Sequence, residues 1–243
     1  MYYRWSEQSI RWFIDASAYT RFHQKAAEVI VPFMNAADTL CDVGCGLGSL
    51  DLALASHVKS ITAIDLESRV LDVFKAGINK EGIQNIRVVC ADMLEDILTE
   101  HDVFLMSLFG TESEMERCFL YCRKMLIRIV NATNAGNLYP AQYRKTVKRT
   151  ITIMDGWLKE KGLSYEKIET AFEFGQPLRS EQDARDFILY NAPEASSHEI
   201  TQFLYSHAQY TGNSSFPIYL PNQKKIGIYI IKLTPNSRNH FLL

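Results

Sequence analysis

The sequence predicts an α/β protein built on a mostly parallel β-sheet with helices on both faces. Two observations support this fold class. Short apolar segments alternate with amphipathic segments between residues 39 and 130, and the first apolar segment runs directly into a turn with glycines at alternate positions. Alternating strands and helices form parallel sheets, and a strand–glycine turn–helix unit is where such sheets hold nucleotide-like ligands.

The predicted elements follow in order along the chain. Two amphipathic helices precede the first strand, one around Ile10 and Phe13 and one over 20–31, because their apolar residues recur at helical spacing. Five strands are then predicted at 39–43, 60–64, 86–90, 102–106 and 127–130, with helices at 49–57, 70–78, 93–99 and 112–125. A long helix over 141–161, a sixth strand over 165–174 and a seventh over 225–233 complete a seven-stranded sheet.

Composition and charge disfavour several functional classes. The 243 residues carry a net charge of −2, without the basic excess usual in nucleic-acid-binding proteins. The five cysteines contain no CxxC pair, which predicts reduced thiols of a cytoplasmic protein rather than disulfides. We expect no signal peptide and no membrane association, because no apolar run approaches the ~20 residues that span a bilayer.

The glycine turn carries the most specific motif. Asp42 is followed by Gly44, Gly46 and Gly48. A dinucleotide fingerprint needs glycines at relative positions one, three and six, but position six is Ser49. A P-loop is excluded because no Gly-Lys-Ser/Thr follows. The pattern Asp42-x-Gly44-x-Gly46-x-Gly48 resembles motif I of the class I S-adenosyl-L-methionine (SAM) methyltransferases.

Two further carboxylates strengthen this resemblance. Asp65 ends the second predicted strand, 21 residues after Gly44, where a nucleotide-binding sheet places the acidic residue that accepts hydrogen bonds from ribose hydroxyls. Asp92 follows the third strand. With Asp42, these residues place three carboxylates at the carboxyl ends of adjacent strands. A helix cap is the alternative role for Asp65 and for Asp92.

The resemblance implies a Rossmann-like fold and a cofactor, SAM, that becomes S-adenosyl-L-homocysteine. It assigns Asp92 to the adenine amino group, and it places Asp42 and the segment after strand four near the methionine portion. Tyr19, just before the second helix, is expected to reach the cofactor's carboxylate. The expected cofactor-binding residues are Tyr19, Asp42, Gly44, Cys45, Gly46, Gly48, Asp65, Leu66, Asp92, Met93, Ser107 and Leu108. No metal ligand is expected.

The predicted domains are N-terminal cap helices over 1–37 and a SAM-binding methyltransferase domain over 38–243. In the resembling family, strands six and seven are usually joined by a fairly short turn. Here an insertion of about 176–223 separates them, with helices predicted at 180–190 and 197–208. Two roles of this insertion stay open: a lid on the substrate side, or a contact with a second subunit in a homodimer.

The catalytic residues are not specified by any motif. Methyl transfer from a sulfonium requires alignment and, for some acceptors, removal of a proton. The candidate catalytic residues are His23 and Tyr19. His23 is the candidate general base, because its ordinary pKa lies near neutrality; a partly exposed helix histidine is the alternative for His23. Other residues expected to line the acceptor pocket are Tyr2, Tyr3, Trp5, Trp12, Phe22, Arg179, Tyr190 and His207.

The acceptor is expected to be a small molecule. Enzymes that methylate amino groups of DNA or of protein glutamine resemble one another in an Asn/Asp/Ser-Pro-Pro-Tyr/Phe segment after strand four. This chain has Ser107-Leu108-Phe109-Gly110 there instead, which disfavours a nucleic-acid base. Two alternatives remain: an NAD(P)-dependent oxidoreductase, disfavoured by Asp42 and Ser49, and a non-catalytic protein that binds SAM or a nucleotide.

Overall fold

The computed structural model describes residues 5–95, 98–134, 136, 138–144 and 149–233. Its strands are β1 (Thr39–Val43), β2 (Ser60–Asp65), β3 (Ile86–Cys90), β4 (His101–Ser107), β5 (Cys122–Asn131), β6 (Tyr165–Glu173), β7 (Gln176–Leu178), β8 (Gln209–Tyr210), β9 (Ile218–Leu220) and β10 (Gln223–Lys232). Its α-helices are α1 (Glu7–Thr20), α2 (Phe22–Ile30), α3 (Ser49–Leu54), α4 (Ser68–Glu81), α5 (Glu112–Tyr121), α6 (Ile151–Glu160), α7 (Glu181–Asn191) and α8 (Ser197–His207).

The chain divides into two compact units. Of the described residues, those between 23 and 132, between 149 and 170 and between 226 and 233 belong to the sheet unit, and those between 5 and 22, between 133 and 144 and between 171 and 225 belong to the insertion unit. Helix α1 therefore groups with the insertion, whereas most of α2 groups with the sheet. Among the helices that the structure describes, none has the length and apolar character needed to cross a lipid bilayer.

The central sheet has seven strands in the order β3-β2-β1-β4-β5-β10-β6. Strands β1 to β5 pair in parallel, whereas β10 runs antiparallel to β5. The prediction of a seven-stranded, mostly parallel sheet is confirmed. In register, Val43 of β1 pairs with Ile64 of β2, which pairs with Val89 of β3, so these strands end at one edge of the sheet, here called the carboxyl edge.

Nearly continuous apolar strands form the core of the sheet unit because both faces of a parallel sheet are covered. Cys41, Phe104 and Leu126 of three neighbouring strands are completely buried. Helix α4 contributes Val70, Leu71, Phe74 and Ile78 at helical spacing, and all four are buried. The periodicity that predicted this helix therefore marks the face that packs.

Three predicted helices differ from the observed structure. The helix predicted over 112–125 ends at Tyr121, because β5 begins at Cys122 and pairs along β4 from that residue. The helix predicted over 141–161 is reduced to α6, since Thr150 is extended and bridges to Asn131; residues 145–148 lie outside the described part. In place of the helix predicted over 93–99, 93–95 form a turn, with residues 96–97 outside the description.

The insertion unit has its own small sheet and core. Strands β7, β9 and β8 form a three-stranded antiparallel sheet. A cluster of buried apolar side chains joins Trp12 of α1 to Leu178 of β7, Phe187 of α7 and Phe203 of α8. The two helices predicted in the insertion are thus present as α7 and α8, and their core includes the first N-terminal helix.

Candidate functional site

The glycine turn follows β1 and begins α3. Gly44, Gly46 and Gly48 all adopt positive φ angles, of 76°, 55° and 65°. A Cβ added to Gly48 would lie 2.2 Å from the ring of Phe74, and one added to Gly44 would lie 2.2 Å from Cγ of Phe109. A side chain at either position is therefore excluded by backbone conformation and by space. Gly48 lets α4 pack closely, whereas Gly44 lets an aromatic ring lie on the turn.

The turn is anchored to the end of β2 through its backbone N–H groups. Gly44 and Cys45 both donate to the carbonyl oxygen of Ile64, at 2.8 and 3.1 Å, and Gly48 donates to the carbonyl oxygen of Cys45 at 3.0 Å. These three donors are satisfied within the protein. They are therefore not available to hold a pyrophosphate, as donors in a dinucleotide-binding turn would be.

Asp65, the last residue of β2, completes this anchoring. Its Oδ2 accepts a hydrogen bond from the Gly46 N–H at 2.8 Å, and its Oδ1 accepts one from the Glu67 N–H at 3.0 Å. No side-chain hydrogen bond caps the following helix α4, so the alternative role of Asp65 as a helix cap is not the one observed. Each carboxylate oxygen has a second lone pair, which leaves Asp65 able to accept hydrogen bonds from ribose hydroxyls.

A pair of buried carboxyl groups lies beneath the turn. Asp42 of β1 is 2% exposed and Asp51 of α3 is 0% exposed. Among the described residues, Asp42 Oδ1 and both carboxyl oxygens of Asp51 have no donor from another group. Burial raises the pKa of both groups, which lie within hydrogen-bonding reach of each other. Because two ionised carboxylates cannot hydrogen-bond, we expect the pair to retain a proton.

Asp51 was not among the residues singled out in the sequence, although a signal for it exists. Within the short helix α3, the buried residues are Leu50, Asp51 and Leu54. An acidic residue on the apolar face of a helix beside a ligand-binding turn is unusual, because ionised carboxylates are rarely buried without a cation. That position is the feature from which Asp51 could have been predicted.

The ends of β2 and β3 are tied together beside the turn. The Ala91 N–H donates to the carbonyl oxygen of Asp65 at 3.1 Å. Leu66 is 49% exposed, so an apolar side chain stands open at the carboxyl edge, whereas Met93 is buried. Asp92 Oδ1 accepts a hydrogen bond from the Leu94 N–H at 2.9 Å, which makes Asp92 the cap of a turn rather than of a helix.

The segment after β4 approaches the same edge. Ser107 pairs with Ile129 of β5, and Leu108 adopts a left-handed conformation with a φ of 56°. Arg128 of β5 is 2% exposed and donates hydrogen bonds to the carbonyl oxygens of Phe109 and Gly110. Sequence reasoning missed Arg128, and its signal is a cation within the otherwise apolar part of β5, residues 125–130.

The geometry at the carboxyl edge agrees with a family match. Residues 40–126, which run from β1 to β5, match the family model described as a methyltransferase domain. Residues 40–126 of the chain therefore form a methyltransferase domain. SAM is the cofactor of such a domain and S-adenosylhomocysteine is its product. The predictions of the family and of the cofactor are confirmed.

Sequence relatives of the methyltransferase domain are matched over short lengths. Over 58 residues, 24% of this chain, it is 33% identical to the probable ribosomal RNA small subunit methyltransferase A of Methanosphaera stadtmanae. The match covers 21% of that protein. This chain therefore aligns with about a fifth of the curated relative's length.

Solved structures share the fold over most of the chain. The YcgJ protein of Bacillus subtilis has a TM-score of 0.55 and 10% identity, over 85% of this chain and 98% of its own. Magnesium protoporphyrin IX methyltransferase of Synechocystis PCC 6803, solved with S-adenosylhomocysteine bound, has a TM-score of 0.51 and 12% identity, over 87% of this chain and 84% of its own. At identities this low, structural similarity shows a common fold and no more.

The two candidate catalytic residues belong to different units. His23 lies in α2 of the sheet unit and is 9% exposed, which differs from the partly exposed histidine considered as the alternative. Tyr19 lies in the insertion unit, where its ring packs against Tyr219 and Phe216 at centroid distances of 5.0 and 5.9 Å. Their roles in the methyltransferase domain stay predictions.

Several residues predicted to line the acceptor pocket have structural partners in the insertion unit. Trp12 is 2% exposed and donates from its indole nitrogen to Asp183 at 2.9 Å, so it is a core residue. Arg179 forms two hydrogen bonds with Asp15, at 2.9 and 3.0 Å. Tyr2 and Tyr3 lie outside the described residues.

A search of the described residues for groups of three or more His, Cys, Asp and Glu side chains that could hold a metal ion found none. The five cysteines form no disulfide. Burial raises the pKa of the Cys41 and Cys45 thiols well above the ordinary value. These two thiols beside the glycine turn are therefore un-ionised at neutral pH.

Proposed function

We propose that the protein is an active methyltransferase that moves the methyl group of SAM to a small-molecule acceptor by in-line displacement. One observation carries the proposal: the carboxyl edge brings a glycine turn, Asp65 and Asp92 together within a stretch that matches a methyltransferase domain. The contacts proposed here for the ribose, the adenine and the sulfonium of SAM all come from residues of the sheet unit.

Asp65 would accept hydrogen bonds from the ribose hydroxyls through the lone pairs that the turn leaves unused. Leu66, whose side chain is open at the edge, would cover one face of the adenine. Asp92 would accept from the adenine amino group, and buried Met93 would pack beside the ring. In this proposal, each of these residues acts from the position that the β2 and β3 ends give it.

The methionine end of SAM would lie at Gly44 and at the segment that begins with Ser107 and Leu108. When bound, SAM supplies an electrophilic methyl group on a sulfonium cation. Buried Asp42 lies two residues before Gly44, and its buried partner Asp51 lies in α3, the helix that follows the turn. A negative charge on the pair would favour a sulfonium and an ammonium group and disfavour a pyrophosphate.

The oxidoreductase alternative fits these features less well. The N–H groups of Gly44, Cys45 and Gly48 are already satisfied inside the protein, and a buried carboxyl pair would repel a pyrophosphate. A non-catalytic protein with this geometry would bind SAM equally well. No signature residue distinguishes it from an enzyme, because methyl transfer depends on the alignment of the reacting groups. Measured turnover separates it from an enzyme.

A small molecule is the proposed acceptor because the chain carries a net charge of −2 and lacks the basic excess of RNA-binding proteins. RNA is the second candidate, favoured by the relative named as a ribosomal RNA methyltransferase. That similarity covers 24% of the chain and so supports the methyltransferase domain more than its acceptor. The insertion, proposed as a lid or as a dimer contact, is the region we expect to select the acceptor.

His23 is the proposed general base for an acceptor that must lose a proton, and Tyr19 is proposed to contact the cofactor's carboxylate. A cytoplasmic location is proposed from the five cysteines, none of which is in a disulfide. A His23→Gln variant keeps the side-chain size and removes the base. It should lower kcat and leave the affinity for SAM unchanged.

The test of function is a transfer assay with SAM labelled in its methyl group. The purified protein is incubated separately with the small-molecule fraction of a cell extract and with total RNA. Label in the small-molecule fraction, absent for an Asp65→Asn variant, is the expected result. Label in RNA alone would replace the small-molecule acceptor with the second candidate. Tight SAM binding without any S-adenosylhomocysteine formed would support the non-catalytic alternative.

A further inference from the structure

Arg128 occupies a costly position in the central sheet. Its neighbours in register are Met106 of β4 and Tyr229 of β10, and it is 2% exposed. Burial lowers the pKa of Arg128 to about 10, so its guanidinium is charged at neutral pH. A buried cation destabilises a fold unless its donors are satisfied. Those of Arg128 go to two successive main-chain carbonyls, of Phe109 and Gly110.

These two carbonyls belong to a strained loop. Leu108 has a φ of 56° and Gly110 a φ of 80°. A leucine in the left-handed region is unfavourable and persists only where its surroundings impose that conformation. The Leu108 N–H donates to the carbonyl oxygen of Ile129 at 2.9 Å, next to Arg128 on β5. The backbone of the loop is therefore fixed from β5 on both sides of Phe109.

The fixed loop places the ring of Phe109 on the glycine turn. A Cβ on Gly44 would lie 2.2, 2.3 and 2.8 Å from three carbon atoms of this ring. The ring is partly buried and packs on the core of the sheet unit. It therefore stands at the first glycine, where the proposed function puts the methionine end of SAM.

We propose that Phe109 contacts the sulfonium end of the cofactor with its ring, and that Arg128 is the positioning residue that holds the ring there. The inference rests on the proposed function. The face of an aromatic ring attracts a cation. SAM carries a sulfonium, whereas S-adenosylhomocysteine has a neutral thioether, so Phe109 favours the substrate form of the cofactor over the product form.

The first test replaces Phe109 with leucine, which keeps an apolar side chain and removes the ring. Calorimetry measures the Kd of SAM and of S-adenosylhomocysteine for each variant. We expect Phe109→Leu to raise the Kd of SAM by about 2- to 30-fold, the range of a cation–π contact, and to raise the Kd of S-adenosylhomocysteine by a smaller factor. Equal weakening of both ligands, or no change, would overturn the role of the ring.

A matched control is Phe119→Leu. Phe119 is a buried phenylalanine of α5 that stacks on Trp157 in the sheet unit, so its replacement makes a comparable loss of ring volume away from the turn. We expect the ratio of the two Kd values to stay at its wild-type value. A changed ratio in this control would mean that the ratio reports core packing, which overturns the assignment to Phe109.

The second test concerns Arg128. Arg128→Lys keeps the positive charge and loses the bidentate guanidinium. We expect it to reduce the preference for SAM over S-adenosylhomocysteine, measured as the ratio of the two Kd values, as much as Phe109→Leu does. The double variant should be no worse than either single variant, because both remove the same contact. Additive losses would show that Arg128 acts independently of the ring and would overturn its positioning role.

The loop at Leu108 and the wild-type protein provide two further tests. If the Arg128 variant does not fold, as judged by circular dichroism, Leu108→Gly loosens the same loop and should also reduce the preference for SAM; an unchanged preference would contradict the role of the fixed loop. If the wild-type protein binds neither ligand, the proposed function fails. If it binds both and Phe109→Leu keeps the wild-type ratio, the inference alone fails.

Discussion

The two units treat buried carboxyl groups in opposite ways. In the insertion unit, Asp183 accepts hydrogen bonds from Arg11 and from the Trp12 indole, and Asp15 is paired with Arg179. In the sheet unit, Asp42 and Asp51 are buried, and no donor among the described residues reaches Asp42 Oδ1 or either carboxyl oxygen of Asp51. Carboxylates with a cationic partner join distant segments of the chain, whereas a buried carboxyl pair without such a partner costs stability.

The pKa values of these groups move in opposite directions. Burial opposes the ionisation of Asp183, but the hydrogen bonds from Arg11, the Arg179 N–H and Trp12 outweigh it and lower the pKa of Asp183. Burial dominates at Asp42 and Asp51 and raises the pKa of each. We therefore expect a fall in pH to destabilise the insertion unit and a rise in pH to destabilise the sheet unit.

The largest effect is expected from Asp183→Ala. The change leaves the buried Trp12 N–H without its acceptor and Arg11 without its partner, so the free energy of unfolding should fall by about 3–5 kcal/mol. Urea titration followed by tryptophan fluorescence measures it. Glu181→Ala is the control, because this exposed carboxylate in the same helix pairs with Arg185 one turn further along the helix. An equal fall in the free energy of unfolding in both variants would show that burial does not make the Asp183 pair more stabilising than the exposed Glu181 pair.

Asp51→Asn tests the buried carboxyl pair through the pH dependence of stability. In the unfolded chain, aspartates have a pKa of about 3.9, whereas burial raises the pKa of Asp42 to about 7. Between these values the unfolded state releases protons that the folded state keeps. Stability should therefore fall as the pH rises, by up to ~1.4 kcal/mol per pH unit for each retained proton.

Asparagine at position 51 removes one acid and donates a hydrogen bond to Asp42, so the fall should become shallower and stability at pH 7 should increase. Thermal unfolding of both proteins between pH 4 and pH 8 measures the slopes. The control is Asp72→Asn on α4, where the aspartate side chain is 74% exposed. A slope that is unchanged in the Asp51 variant would show that the pair does not share a proton.

Asp65→Asn tests the ribose contact within the sheet unit. Hydrogen bonds to a charged group contribute about 1.5–3 kcal/mol each, so we expect the Kd of SAM to increase at least tenfold. Calorimetry measures the Kd, and circular dichroism checks the fold. Glu81→Gln, an exposed change at the far end of α4, should leave the Kd unchanged. Wild-type affinity in the Asp65 variant would remove Asp65 from the site.

The smallest effect is expected from Arg21→Gly. Arg21 ends α1 in a left-handed conformation, with a φ of 55°, where glycine is unstrained. Glycine there should increase the free energy of unfolding by about 0.5–1 kcal/mol, measured as a rise in Tm. Gln24→Gly, at an exposed position inside α2, should lower it instead. Destabilisation by Arg21→Gly would mean that the arginine side chain makes the larger contribution.

The same contrast explains what could be predicted from the sequence. Strands β1 to β4 were located almost to the residue, because each is a short apolar run bounded by polar or glycine residues. Counting from Gly44 placed Asp65 at the end of β2, and the register then brought the ends of β1, β2 and β3 to one edge. These features depend on local pattern and on the fixed geometry of parallel sheets.

What was missed depends on tertiary contacts. Nothing local shows that α1 packs with the insertion, because Arg11 and Asp183 are 172 residues apart. Likewise, the contact of Phe109 with Gly44 arises only when β4 lies beside β1, and the donors of Arg128 reach a loop that is 18 residues away. Contacts of this kind depend on which strands are neighbours in the folded sheet, and residue spacing in the sequence does not show them.

The most direct test of the central claim is a calorimetric titration of the full chain with SAM, S-adenosylhomocysteine and NAD under identical conditions. We expect saturable one-to-one binding of both adenosyl ligands and no heat of binding for NAD, because the N–H groups of Gly44, Cys45 and Gly48 are already satisfied and a buried carboxyl pair flanks the turn. Binding of NAD without binding of SAM or S-adenosylhomocysteine would contradict this expectation.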